Sequence, residues 1–160
     1  MRKFGLAAAT IALTVGLGGC ATQVTPPAAP VTAAPTTTAA ASDPEAQDMT
    51  AKQQIAVISM GQAESLSVSG AAKTTVSEIN DDPKIRTKVK LPAGTVVGIA
   101  TSDDGKHFAV VVESESGRYF ARVDGGDYFD ADTLDGLGAA VAPALDAAAM
   151  QMPELAPLAY

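Results

Sequence analysis

The sequence has 160 residues, 47% of them hydrophobic, with a formal net charge of −7, one Cys, one His and no Trp. A single Cys excludes an intramolecular disulfide framework and a clustered-Cys zinc site. The acidic balance argues against nucleic acid as a partner, since that binding usually rests on a basic patch or stripe.

Arg2 and Lys3 open the chain, and an uncharged stretch from Phe4 to Gly19 leads to Cys20. A positive n-region before an apolar h-region is the layout of a secretory signal peptide. The apolar stretch is shorter than the ~20 residues that span a bilayer. These residues resemble a bacterial lipoprotein signal peptide. Leu17-Gly18-Gly19-Cys20 matches its lipobox, an aliphatic residue and two small ones before the Cys that is lipidated.

The resemblance implies cleavage after residue 19, a diacylglyceryl group on the Cys20 sulfur and an acyl chain, such as palmitate, on its amine. Each buried CH₂ contributes roughly 0.8 kcal/mol, so two or three chains make a durable membrane anchor. Ala21 after the lipidated Cys resembles outer-membrane sorting, which gives an expected location at the outer membrane, facing the periplasm. Loss of Arg2 and Lys3 leaves nine basic against eighteen acidic residues, a net charge of −9. Such a surface does not seek anionic headgroups. The lipid, not the protein surface, is the expected membrane contact.

Residues 20–42 are the lipidated Cys and a segment of little but Thr, Ala and Pro, uncharged throughout. Such a segment cannot bury enough surface to offset ordering entropy, so it reads as a disordered linker. Its prolines favour an extended stalk, reaching roughly 60 Å at full stretch. Composition shifts near Ser42-Asp43-Pro44-Glu45, where Ser followed by Glu makes a capping-box pattern. A single domain is expected over 43–152, and the prolines at 153 and 157 mark 153–160 as a C-terminal tail.

The first helix is expected to reach Met60 and stop at Gly61, although Ile55–Ile58 also fits a buried strand. Leu66 and Val68 alternate with Ser as in a short strand. Ala72, Val76 and Ile79 follow helical spacing after Ser69. From Lys84 the alternation is regular: Ile85, Thr87, Val89 and Leu91 against Lys84, Arg86, Lys88 and Lys90, the pattern of a half-buried strand. Strands over 95–101, 107–113 and 118–123 follow, separated by turns at Asp104-Gly105 and Gly117. A helix starting near Asp132 or Thr133 carries Leu137, Val141, Leu145 and Ala148 at helical spacing, with Pro143 as a break or kink. The expected fold class is α+β: a small antiparallel β-meander or partly closed barrel with flanking helices.

Residues 91–120 also resemble the strand-turn pattern of small bacterial Src-homology-type barrels, through Leu91-Pro-Ala-Gly94-Thr95, Asp104-Gly105-Lys-His-Phe108 and Gly117-Arg-Tyr119-Phe. Those modules often bind cell-wall peptides. The aromatic Trp usual near the last strand is replaced by Tyr119-Phe120, so no binding residue is carried over.

Five carboxylates lie between Asp124 and Asp135. Asp127, Asp130 and Asp132 are candidate oxygen ligands for calcium, although the EF-hand spacing fails from every start. A solvated strand-to-helix connection explains the same residues. Asp103-Asp104 and Glu113/Glu115 are conceivable acid pairs for glycoside cleavage, but each belongs to a turn. His107, the lone His, has no nucleophile signature near it. Lys84, Arg86, Lys88 and Lys90 form a positive stripe in an acidic chain and are the candidate partner-binding residues. No cofactor is expected.

The sequence therefore points to a non-enzymatic, lipid-anchored envelope protein that binds or assembles with a periplasmic protein complex or peptidoglycan. The alternative is an envelope hydrolase or calcium-binding protein using the Asp124–Asp135 carboxylates.

Overall fold

A computed structural model describes residues 43–158. The expected signal peptide, Cys20 and the expected linker, residues 1–42, lie outside the described residues.

Helix α1 (Pro44–Ser69) runs for 26 residues. Its cap is Asp43, whose carboxylate accepts the Glu45 N–H at 3.1 Å, and Pro44 sits where a missing N–H costs nothing. The expected stop at Gly61 is overturned, as are the strand readings at 55–58 and 66–68: α1 continues to Gly70, which closes it at φ 76°. Gly61 is in the helix because α2 needs the room. A Cβ there would stand 2.7 Å from Ile79 Cγ2. Ile79 lies on α2 (Val76–Asp81), which Thr75, not Ser69, caps by accepting the Glu78 N–H.

This contact sets the sign of a substitution. Gly61→Ala gains about 1 kcal/mol of helix propensity, but Ile79 is wholly buried and cannot yield. Overpacking of a filled core costs about 1–3 kcal/mol. We expect net destabilisation, read as a lower urea midpoint at unchanged slope.

Strands β1 (Val96–Thr101), β2 (Phe108–Glu113), β3 (Tyr119–Val123) and β4 (Tyr128–Ala131) form an antiparallel meander. The expected meander is thus present but shifted by one member. Lys84–Leu91 makes no ladder, and β4 takes the fourth place from within the acidic segment. The sheet is open, in order β4-β3-β2-β1-β5, and not a partly closed barrel.

Helices on both faces explain why β2 reads as a continuous apolar run. Phe108, Val110 and Val112 pack with Ile55, Ile58, Ile79 and Phe120 on the α1 side. Ala109 and Val111 face Leu137, Val141 and Leu145 of α3 (Leu134–Ala147). Thr133 caps α3 through its hydroxyl, as expected. Pro143 does not break it: Pro143 and Ala139, whose carbonyl loses its N–H, are both exposed, so water replaces the missing bond.

The C-terminal stretch is not a tail. β5 (Ala156–Pro157) pairs with Val96 and Val97 of β1. Leu155 packs on the α3-side core and Leu158 on the α1-side core, so this arm wraps the sheet edge. Gly98 permits the crossing, since a Cβ there would meet the Glu154 carbonyl at 2.7 Å. Proline suits such an edge, where no donor is required. No helix among the described residues is long and apolar enough to cross a membrane.

Candidate functional site

The segment from Lys84 to Leu91 is alternately exposed and buried but belongs to no strand, and it opens in a turn where the Ile85 N–H bonds the Asp82 carbonyl. Ile85, Val89 and Leu91 enter the α1-side core, while Lys84, Arg86, Lys88 and Lys90 are exposed. Hydrogen bonds from helix side chains hold the backbone instead of a ladder. The Glu64 carboxylate of α1 accepts the N–H groups of Arg86 and Thr87, both at 2.8 Å. The Asn80 amide of α2 donates to the Val89 carbonyl at 2.9 Å and accepts its N–H at 2.8 Å, as a neighbouring strand would. The N–H groups of Arg86 and Thr87 hold the Glu64 carboxyl below the usual range, so it is ionised wherever the domain is folded near neutral pH.

Upstream, Asp82 anchors the start of the segment. Its carboxylate meets Lys73 Nζ at 2.9 Å and accepts the Lys84 N–H at 2.9 Å, which pulls its pKa down to about 2. Lys88 is the one member of the stripe that turns back: its ammonium donates to the Asn80 carbonyl at 2.6 Å, at the end of α2. None of the four stripe cations joins an ion pair among the described residues. Lys84, Arg86 and Lys90 are therefore exposed charges outside any ion pair, carried on a backbone fixed from behind, although the Arg86 charge also helps to lower the Glu64 carboxyl.

The acidic segment is taken apart by the fold. Asp130 and Asp132 both bind the Arg118 guanidinium, Asp132 through Nε at 3.0 Å. Arg118 reaches Asp48 of α1 as well, at 3.2 Å. Burial pushes the Asp48 carboxyl up, but hydrogen bonds from Ser116, Ser114 and Arg118 outweigh it and keep it below the usual range. Asp127 is exposed and apart from this network. Among the described residues no group of three or more His, Cys, Asp or Glu side chains is placed to hold a metal ion. The candidate calcium set Asp127, Asp130 and Asp132 is thus not assembled: two of its members neutralise an arginine that joins α1 to β3 and β4.

Asp124, at the head of the same segment, holds a left-handed φ of 51° and accepts the Phe108 N–H at 2.8 Å. Its second oxygen lies 2.7 Å from His107 Nδ1. This bond raises the pKa of the imidazole above its ordinary value. A raised histidine pKa adds stability that is full below about pH 6.5 and lost as pH rises through the folded value. We expect the melting temperature to fall between pH 6 and 8.5 more in the native chain than in His107→Gln. Equal slopes would remove the pair from the account.

Asp104 accepts the Ser102 hydroxyl at 2.6 Å and the Lys106 N–H at 3.0 Å, a turn-closing role. Glu113 and Glu115 line an open cleft with Gln47 and Gln54 of α1. Phe120, at the position where the barrel resemblance looks for a groove aromatic, is wholly buried. Glu64 and Asn80 carry no local sequence signal of their role, because each is a single polar residue on a helix. Comparison of the chain with protein-family models, curated proteins and solved structures found no match.

Proposed function

We propose that this chain is a lipid-anchored envelope protein, held at the outer membrane through Cys20, with a binding or assembly role towards a periplasmic protein. The stripe of Lys84, Arg86 and Lys90 is its contact surface. The observation that carries the reading is the fixing of the Lys84–Leu91 backbone by Glu64 and Asn80. The same bonds satisfy the backbone beside the buried Ile85 and Val89, and they hold the exposed cations on ordered backbone, which favours recognition because a preordered element gains affinity. The hydrolase and calcium alternative loses its main support, because Asp130 and Asp132 are engaged by Arg118.

The test is crosslinking and affinity capture from intact cells, with the native chain, Cys20→Ser and the triple variant Lys84→Glu/Arg86→Glu/Lys90→Glu. Cys20→Ser should move the protein out of the membrane fraction. The triple variant should stay in the membrane and lose its crosslinked protein. A native chain recovered unlipidated and soluble would overturn the anchor, and a triple variant that keeps its crosslink would overturn the contact surface.

A further inference from the structure

The C-terminal arm covers only the first part of the sheet edge. β5 meets Val96 and Val97, and the remainder of β1 has no strand on its outer side. The Ser102 N–H bonds the His107 carbonyl at 3.1 Å, so Ser102 turns its backbone groups towards β2. These groups alternate between the two edges of a strand. Ala100 and Gly98 therefore also bond β2, opposite Ala109 and Val111, while Val97, Ile99 and Thr101 face outwards. Ala156 meets Val97. The N–H and C=O groups of Ile99 and Thr101 have no hydrogen-bond partner among the described residues.

Each face of this edge has a recess beside it. On the α1 side a cavity of about 230 Å³ opens where β5 ends, lined by Val76, Val97, Ile99, Leu158, Ala156 and Glu154. On the α3 side a cleft lies between Ala100, Thr101 and the arm at Met150 and Met152, with Asp103 in its wall. Asp103 and Glu154 are exposed and join no ion pair among the described residues.

We infer that the open edge at Ile99–Thr101 takes up an extended segment of a partner protein as an added strand, with an aliphatic residue next to a lysine or arginine. This surface goes beyond the cation stripe and uses none of its residues. Main-chain bonds give such a complex its affinity, and pockets for alternate side chains give it specificity. Side chains opposite one another on neighbouring strands share a face. The residue beside Ile99 thus enters the apolar cavity, and the next, beside Ala100, turns to the cleft that holds Asp103. Charge selects against other occupants. A glutamate-bearing strand would meet Asp103 and Glu154, and a second copy paired through the same edge would set these carboxylates against their own kind.

The chain alone gives the first reading. Amide exchange at Ile99 and Thr101 should be faster than at Gly98 and Ala100, which bond β2. The probe is the acetylated, amidated peptide Thr-Val-Lys-Val-Lys-Val-Thr, titrated into the full chain at low salt. Comparison peptides carry N-methyl groups on the valines, Glu in place of Lys, or Ser in place of Val. The Lys peptide should bind and slow exchange at Ile99 and Thr101. N-methylation should cost about tenfold or more in affinity, through lost backbone bonds. Serine should cost a similar factor, through lost apolar burial. Asp103→Lys, in an exposed turn, should weaken the Lys peptide about three- to tenfold and strengthen the Glu peptide.

Exchange at Ile99 and Thr101 as slow as at Gly98 and Ala100 would show the edge to be closed. An N-methylated peptide that binds as tightly as the parent would overturn strand addition. A Glu peptide that binds as well as the Lys peptide, or no effect of Asp103→Lys, would overturn the choice of a basic partner. A dimer of the native chain with slowed exchange at Ile99 and Thr101 would give the edge to a second copy instead. None of these outcomes touches the stripe, whose own test is the triple variant.

Discussion

Gln62→Ala should destabilise the domain by about 3–5 kcal/mol, an unusually large effect for a polar residue. Gln62 is wholly buried on α1, with its amide against the backbone of Lys73. Its Oε1 accepts the Lys73 N–H at 2.7 Å, and its Nε2 donates to the Lys73 carbonyl at 2.6 Å. Truncation leaves the N–H and C=O of half-buried Lys73 without their partners, each costing about 1–3 kcal/mol where water does not replace Gln62, and opens a cavity besides. Gln62→Glu keeps the acceptor but not the donor, and should recover only part of the loss. Urea unfolding of the three proteins measures both steps. A cost under about 1 kcal/mol for the alanine variant would show that water enters and satisfies Lys73.

Phe120→Ala should cost about 3–5 kcal/mol, the range for a fully buried aromatic. Phe120 is completely inaccessible, with Lys52 Nζ 5.1 Å and the Arg118 guanidinium 5.5 Å from its ring. Phe120→Leu keeps most of the volume but loses both cation contacts, and should cost less, about 1–2 kcal/mol. The pair of variants also tests the barrel resemblance. An aromatic in a peptide groove would leave stability nearly unchanged on truncation, whereas this one holds the sheet to α1. Circular dichroism melts of both variants decide between them.

Legibility from sequence followed the kind of interaction. Strands β1 to β3 could be read because their turns are local: Asp104-Gly105 and Gly117 each close a hairpin within a few residues. Helix α3 could be read because its apolar spacing and Thr133 cap are written consecutively. The alternation at 84–91 was correct about burial and misleading about pairing. Period two reports that one side faces a core, and here helices α1 and α2 supply that core. β4 went unread because Asp127, Asp130 and Asp132 looked like turn residues, although Tyr128-Phe129 has strand character. Gly61 looked like a helix end because nothing local shows that Ile79 will lie against it.

The candidate site divides in the same way. The stripe of cations is visible as a pattern, but the two side chains that fix it come from positions 64 and 80, remote in sequence and unremarkable alone. Conversely, the acidic segment was conspicuous as a cluster. Three of its five charges prove to be engaged, Asp124 by His107 and Asp130 and Asp132 by Arg118.

Arg118 has a mechanical consequence. Any pull transmitted along the chain from residue 42 enters the domain at the first turns of α1, which would ordinarily be the easiest part of a helix to fray. There Asp48 is clamped to Arg118 and Ser116, and Arg118 in turn grips Asp130 and Asp132 on and beside β4. Such a load would pass sideways into the sheet before the helix could unwind, so the first turns of α1 are reinforced against fraying.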